Sequence, residues 1–212
     1  MSKETSYSAI IKLPTDQSNY LRNIVDRVNT NYNFTNKVES DFHITIEPRQ
    51  YSSGRNFLID LGEWLKLQTP FDITLDKIDH FEGRNNGLLF LTTSDSEARD
   101  RISDLHYGIH EVVKPKDPNR QNNVEFIPHI TLFSKIPLEE IDLLKNKVIE
   151  NYDNNLTLPV SEIIVTKMTD EISWKECCRF NLGEMEEYLF DYSFNEQITF
   201  PTLRPISVRT TN

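Results

Sequence analysis

The sequence predicts a mixed fold of strands and helices, and three observations point to it. Runs with apolar residues at alternate positions are separated by runs with apolar residues at i, i+3 and i+4. The first period is that of a half-buried strand, the second that of an amphipathic helix. The order that results is β-α-β-α-β-β-α-β-α-β-β. Within it one short strand pattern occurs twice, as Asp41-Phe42-His43-Ile44-Thr45-Ile46 and as Ile127-Pro128-His129-Ile130-Thr131-Leu132.

Tyr7 to Leu13 is the first expected strand, closed by Pro14 and Thr15. A helix from Asp16 places Tyr20, Leu21, Ile24, Val25 and Val28 on one face and ends in the Asn-rich turn Asn29 to Asn33. The first His-Thr strand follows, with Pro48 expected to close it. A second helix starts near Ser52 or Ser53 and carries Phe57, Leu58, Leu61, Trp64, Leu65 and Leu67 to Pro70. Phe71 to Phe81 and Leu88 to Thr93 are expected as two strands joined through Gly83 to Gly87. Ser94 or Asp95 caps a third helix with Ala98, Ile102, Leu105, Ile109 and Val113 in register. The polar loop Lys114 to Asn123 is the expected mobile segment, made positive by Lys114, Lys116 and Arg120.

After the second His-Thr strand, Pro137 opens a helix at its first position, with Ile141, Leu144, Val148 and Ile149 as its buried stripe. Leu156 to Met168 and Ile172 to Leu182 are the last expected strands, a hairpin through Thr169 to Glu171. Residues 1–183 are expected as one domain, with 184–212 as an aromatic C-terminal extension packed on or beside it.

Composition narrows the function. With 212 residues, 37% hydrophobic and 26% charged, the chain has the make-up of a soluble globular protein able to bury a sizeable core. No apolar run approaches the roughly 20 residues that span a bilayer, and the first residues carry no signal-peptide stretch. A cytoplasmic protein is expected. The only cysteines, Cys177 and Cys178, are neighbours, poorly placed for an ordinary disulfide and without zinc-site spacing. The formal net charge of −10 argues against a protein that grips long duplex nucleic acid through its phosphates. A small anionic ligand or a strand end needs only a local basic rim and stays open.

The repeated pattern carries chemistry. Side chains at i and i+2 of a strand share a face. His43 and Thr45 therefore point one way and Ile44 and Ile46 the other, and the second copy repeats the arrangement. Two such strands facing each other would bring together a general acid, a general base and two hydroxyl donors. That is a site for phosphate chemistry.

Two H-x-T motifs on apolar strands, with the hairpin Phe81-Glu82-Gly83…Leu88-Leu89-Phe90-Leu91 between them, resemble the 2H phosphoesterase superfamily. That superfamily includes the RNA 2′,3′-cyclic phosphodiesterases once called 2′-5′ RNA ligases. The resemblance runs roughly from Tyr7 to Gly183. It implies an α+β fold of two pseudo-symmetric lobes, whose antiparallel sheets face a central cleft with helices outside. It also implies metal-independent opening of a cyclic phosphate, or cleavage of a phosphodiester, by His43, Thr45, His129 and Thr131.

Histidine, with an ordinary pKa of about 6.5, serves as acid or base near neutrality. One imidazole must start charged and the other neutral; His43 is taken as the acid and His129 as the base. Strand parity adds Phe133 and Lys135 on the face of His129, to stack a base and meet a phosphate, and Arg49 on the face of His43. Tyr51 joins them as a substrate-binding candidate, with Tyr7 and Trp174 as further aromatic positions at strand ends. His106 and His110, at i and i+4 of the third helix, lack the Glu and the third ligand of a zinc site. No metal and no cofactor is called for.

The expected substrate is a nucleotide or an RNA end, met by a monomer with no membrane partner. Two alternatives stand beside it. One is hydrolysis of a cyclic oligonucleotide or a 2′-5′-linked signalling nucleotide. The other is a nucleotide-binding module that has lost turnover, against which both intact His-Thr pairs weigh.

Overall fold

Leu21, Ile24, Val25 and Val28 recur one helical turn apart, and the helix they form, α1 (Thr15–Tyr32), buries all four. It follows β1 (Thr5–Lys12) and precedes the short β2 (Lys37–Val38), the long β3 (His43–Ser52) and α2 (Asn56–Leu65). Next come β4 (Phe71–Leu75), β5 (Lys77–Glu82), β6 (Gly87–Thr92) and α3 (Ser96–Val113). The chain then forms β7 (Ile130–Ile136), a 3₁₀ turn (Leu138–Glu140), α4 (Ile141–Asn151), β8 (Leu156–Val160), β9 (Glu162–Met168) and β10 (Trp174–Asn181). This computed structural model describes residues 5–32, 37–38, 41–52, 56–113, 126–152, 155–168 and 174–183. The loop from Lys114, the turn at Thr169 to Glu171 and the extension from Glu184 lie outside them, as does Asn33.

The class is α+β. Seven strands form one antiparallel sheet in the order β10-β9-β1-β3-β7-β6-β5, and β2 is an eighth, on β7. The sheet has two halves. Helices α2 and α3 pack on the half that contains β1, β3, β9 and β10, whereas α1 and α4 pack on the half that contains β5, β6 and β7. The halves are expected as two sheets across a cleft; they are continuous, and among the described residues they are joined by one bridge, between Ile44 and Ile130. Both isoleucines are fully buried, a burial that stabilises by about 1.5–3 kcal/mol for each such side chain. The two His-Thr strands are thereby the innermost strands of their halves.

Several boundaries differ from the sequence reading, each for a hydrogen-bonding reason. Pro48 does not close β3, which runs on to Ser52. The register skips at that point, from Ala9–Glu47 to Tyr7–Gln50, and the Ser8 hydroxyl donates to the Glu47 carbonyl at 2.9 Å. A residue without an N–H is tolerated at such a bulge. Helix α2 stops at Leu65, where Leu67 and Gln68 N–H turn to the carbonyls of Trp64 and Leu65, and Leu67 is left exposed.

The run from Phe71 to Phe81 is two strands rather than one. They part at Asp76, whose carboxylate accepts the Ser94 N–H at 2.7 Å. Beyond the break β5 pairs with β6, while β4 pairs with β8 as a separate two-stranded sheet. Leu156 to Met168 likewise divides, at Ser161, into β8 and β9. Asp95 is the cap of α3, accepting the Glu97 N–H at 2.9 Å. Among the described residues no helix is long and apolar enough to cross a membrane.

Candidate active site

The bridge between Ile44 and Ile130 orders everything around it. In an antiparallel pair the residues flanking a bridge oppose each other across the strands. His43 is thus set on the Thr131 side and Thr45 on the His129 side. All four are partly exposed while Ile44 and Ile130 are sealed beneath them. The structure brings the two His-Thr pairs together at the centre of the sheet.

Both imidazoles are held in the same way. His43 Nδ1–H donates to the Asp41 carbonyl and His129 Nδ1–H to the Ile127 carbonyl, each at 2.7 Å and each two residues upstream. A carbonyl only accepts, so the proton lies on Nδ1 and Nε2 is the nitrogen left for chemistry. The preceding carbonyls are also tied down. Phe42 C=O accepts the Leu13 N–H at 3.2 Å, and Pro128 C=O accepts the Thr92 hydroxyl at 2.6 Å. Each histidine is thus held through its ring and through the peptide group that precedes it.

A bulge follows each threonine. In β3 Thr45 pairs with Ile10 and Glu47 with Ala9, so Ile46 is the extra residue. In β7 Thr131 pairs with Phe90 and Phe133 with Leu89, so Leu132 is the extra residue. A bulge reverses the parity of the residues after it. Glu47 and Phe133, the fifth residues counted from each histidine, are both turned into the interior, 2% and 0% exposed.

This corrects the placement of Phe133. It does not share the face of His129, and no base can stack on it. Lys135 is exposed, but at φ 59° it is the extra residue of a second bulge, so simple parity does not place it either. Arg49 and Tyr51 fall on the β3 backbone, where Tyr51 pairs with Ser6; their side chains lie outside the described residues. Tyr7 packs edge-on against Phe57 at 4.9 Å, and Trp174 lies on the outer strand β10.

Two aromatic residues that parity did not select border His129. Phe90 and Phe81 lie 5.0 and 5.2 Å from its ring, centroid to centroid, and 4.3 Å from each other. Phe90 is buried, while Phe81 is exposed at the rim. Phe90 reaches the site as the cross-strand partner of Thr131, a pairing that no spacing within β6 could reveal. His106 and His110 face inward, to the Ile46 carbonyl and the Glu47 carboxylate. Among the described residues no three His, Cys, Asp or Glu side chains are grouped to hold a metal.

The pKa of His129 is lowered from its ordinary 6.5. Burial is the main cause, because it penalises the charged ring; the bond to Ile127 opposes it, and the charge of His43 adds to the lowering. His129 is thereby favoured in the neutral form, with Nε2 as an open acceptor.

The sheet thus sets one H-x-T strand at the inner edge of each half. The profile of the 2′-5′ RNA ligase superfamily matches residues 25–171, and the chain belongs to that superfamily. Its fold is similar to that of Escherichia coli LigT in apo form, at 14% identity and a TM-score of 0.58 over 86% of this chain and 100% of that one. TT0787 of Thermus thermophilus is similar at 16% identity and a TM-score of 0.58, over 85% and 100% of the two chains. Usb1 of Kluyveromyces marxianus, solved with uridine monophosphate, is similar at 15% identity and a TM-score of 0.52, over 83% and 99%. No curated protein matches in sequence.

Proposed function

We propose that this phosphoesterase opens a 2′,3′-cyclic phosphate on a nucleotide or an RNA end, with His129 as base and His43 as acid. The observation that carries the reading is the matched pinning of both Nδ1 atoms, at 2.7 Å, with the His129 pKa lowered. Neutral His129 takes a proton from water through Nε2 as the water oxygen attacks phosphorus. Protonated His43 gives its Nε2 proton to the departing ribose oxygen. The Thr45 and Thr131 hydroxyls donate to the non-bridging oxygens, where negative charge grows in the transition state. Both proton transfers are assigned to side chains of this chain, so the scheme needs no metal.

Phe81 supports a nucleotide rather than a bare phosphate, because an exposed aromatic ring beside His129 offers a face for a nucleobase to stack on. Phosphate-bearing ligands occupy structural neighbours: LigT has been solved with 3′-AMP and with phosphate, Usb1 with uridine monophosphate. The net charge of −10 favours a small or end-bound substrate over a long duplex.

The test is turnover of 2′,3′-cyclic nucleotides in excess EDTA by the wild type, His43→Ala and His129→Ala. Turnover in chelator is expected, with a loss of at least about 100-fold in either variant. Full activity in both variants would remove the acid–base pair. Tight binding without turnover across cyclic and 2′-5′-linked substrates would leave a binding module instead.

A further inference from the structure

Behind the site, α3 lies against β3 and turns His106 and His110 toward it, one turn apart. His106 is 4% exposed. Its Nδ1–H donates to the Ile46 carbonyl at 2.5 Å, and Ile46 is the residue that bulges from β3 directly after Thr45. His110 Nδ1 lies 3.3 and 3.4 Å from the two oxygens of the buried Glu47 carboxylate, the next residue along. The His106 ring is also stacked on Phe126, with centroids 4.1 Å apart and planes 7° from parallel. Phe126 immediately precedes Ile127, whose carbonyl orients His129.

One imidazole thus touches the backbone that ends the first motif and the side chain that leads into the second. We propose that His106 is a positioning residue that holds the two half-sites in register, by a hydrogen bond to one and a ring stack on the other. The inference rests on reading His43 and His129 as the proton-transfer pair. The mechanical need for such a tether is visible in the sheet. Among the described residues the backbone ladder between the halves is the single bridge Ile44–Ile130, so few ladder hydrogen bonds set the angle between them. A second link fixes the angle between the Nε2 atoms, to which in-line attack and departure are sensitive. A histidine that merely filled the core would be satisfied by the Ile46 carbonyl and would have no reason to influence His129.

Two substitutions separate the links. His106→Phe keeps a ring for Phe126 and removes the donor, whereas His106→Asn keeps a donor near the Nδ1 position and removes the ring. Phe126→Leu breaks the stack from the other side and leaves the buried imidazole in place, so the link is tested even if His106 is needed for folding. The readouts are the ring nitrogen and proton resonances of His43 and His129, kcat and KM for the cyclic nucleotide, and Tm.

Each variant is expected to move the resonances of both histidines: Phe126→Leu reaches His43, and His106→Phe reaches His129. The value of kcat should fall about tenfold or more, because small misplacements of reacting groups are costly, while KM changes less than about threefold. In the double variant His106→Phe/Phe126→Leu the losses should be less than multiplicative. The tether is refuted if each substitution moves only the nearer histidine, or if lost activity equals lost folded protein. Should the wild type cleave no phosphodiester, the functional reading falls, and the resonances alone decide whether His106 joins the two half-sites.

Discussion

His43 and His129 each commit one ring nitrogen to a backbone carbonyl two residues upstream, and that small device makes the rest of the ring predictable. The His-x-Thr pairs were legible because alternation along a strand is a local property. Phe133 was not, because the bulge at Leu132 depends on how β7 pairs with β6. In the proposed mechanism these two rings make activity depend on pH. A base must be neutral to accept a proton, and the His129 pKa lies below 6.5. The acidic limb of kcat/KM against pH should therefore fall below 6.5, and a limb at or above that value would contradict the assignment of His129 as base. The same depression links folding to protons. Below pH 6.5 the unfolded imidazole binds a proton that the folded one resists, so this contribution to stability is lost as pH falls.

At the scale of elements, helices and hairpins with strong periodicity were readable, as β5–β6 and α3 show. The division of Phe71 to Phe81 was not, since it arises from β4 pairing with β8, a partner distant in the chain. One side chain secures that small sheet. Tyr152, just past α4, donates its hydroxyl to the Leu75 carbonyl at 2.5 Å and accepts the Leu156 N–H at 3.2 Å. Burial pushes its pKa up to about 12, against the opposing bond from Leu156. Leu75 and Leu156 are paired across the two strands, so one hydroxyl closes the end of the ladder. Tyr152→Phe leaves both backbone groups without it and should cost about 1–3 kcal/mol. Thermal unfolding checks this; an unchanged Tm would mean that water replaces the hydroxyl at no cost.

The whole molecule is interleaved. Helix α1 follows β1 in sequence, yet packs with α4 and β7 on the other half of the sheet, and α3 follows β6 yet packs on β3. Neither half is a continuous piece of chain. Unfolding should therefore be a single cooperative event, with far-UV circular dichroism and tryptophan fluorescence giving coincident transitions. Trp64 and Trp174 lie on α2 and β10, in the half that carries β3, so a fluorescence midpoint separated from the circular dichroism midpoint would show that half melting by itself.

The amino-acid order by itself determined which short segments alternate, which wind into helices, and that two of the strands offer an imidazole and a hydroxyl on one face. Those are matters of spacing between near neighbours. Only the tertiary structure decided that the two strands meet at Ile44 and Ile130, that a bulge turns Phe133 inward, that Phe81 and Phe90 stand beside His129, and that α3 sets His106 against Ile46 and Phe126. Each of these depends on ladder hydrogen bonds and packing between segments far apart in the chain, where local periodicity carries no information.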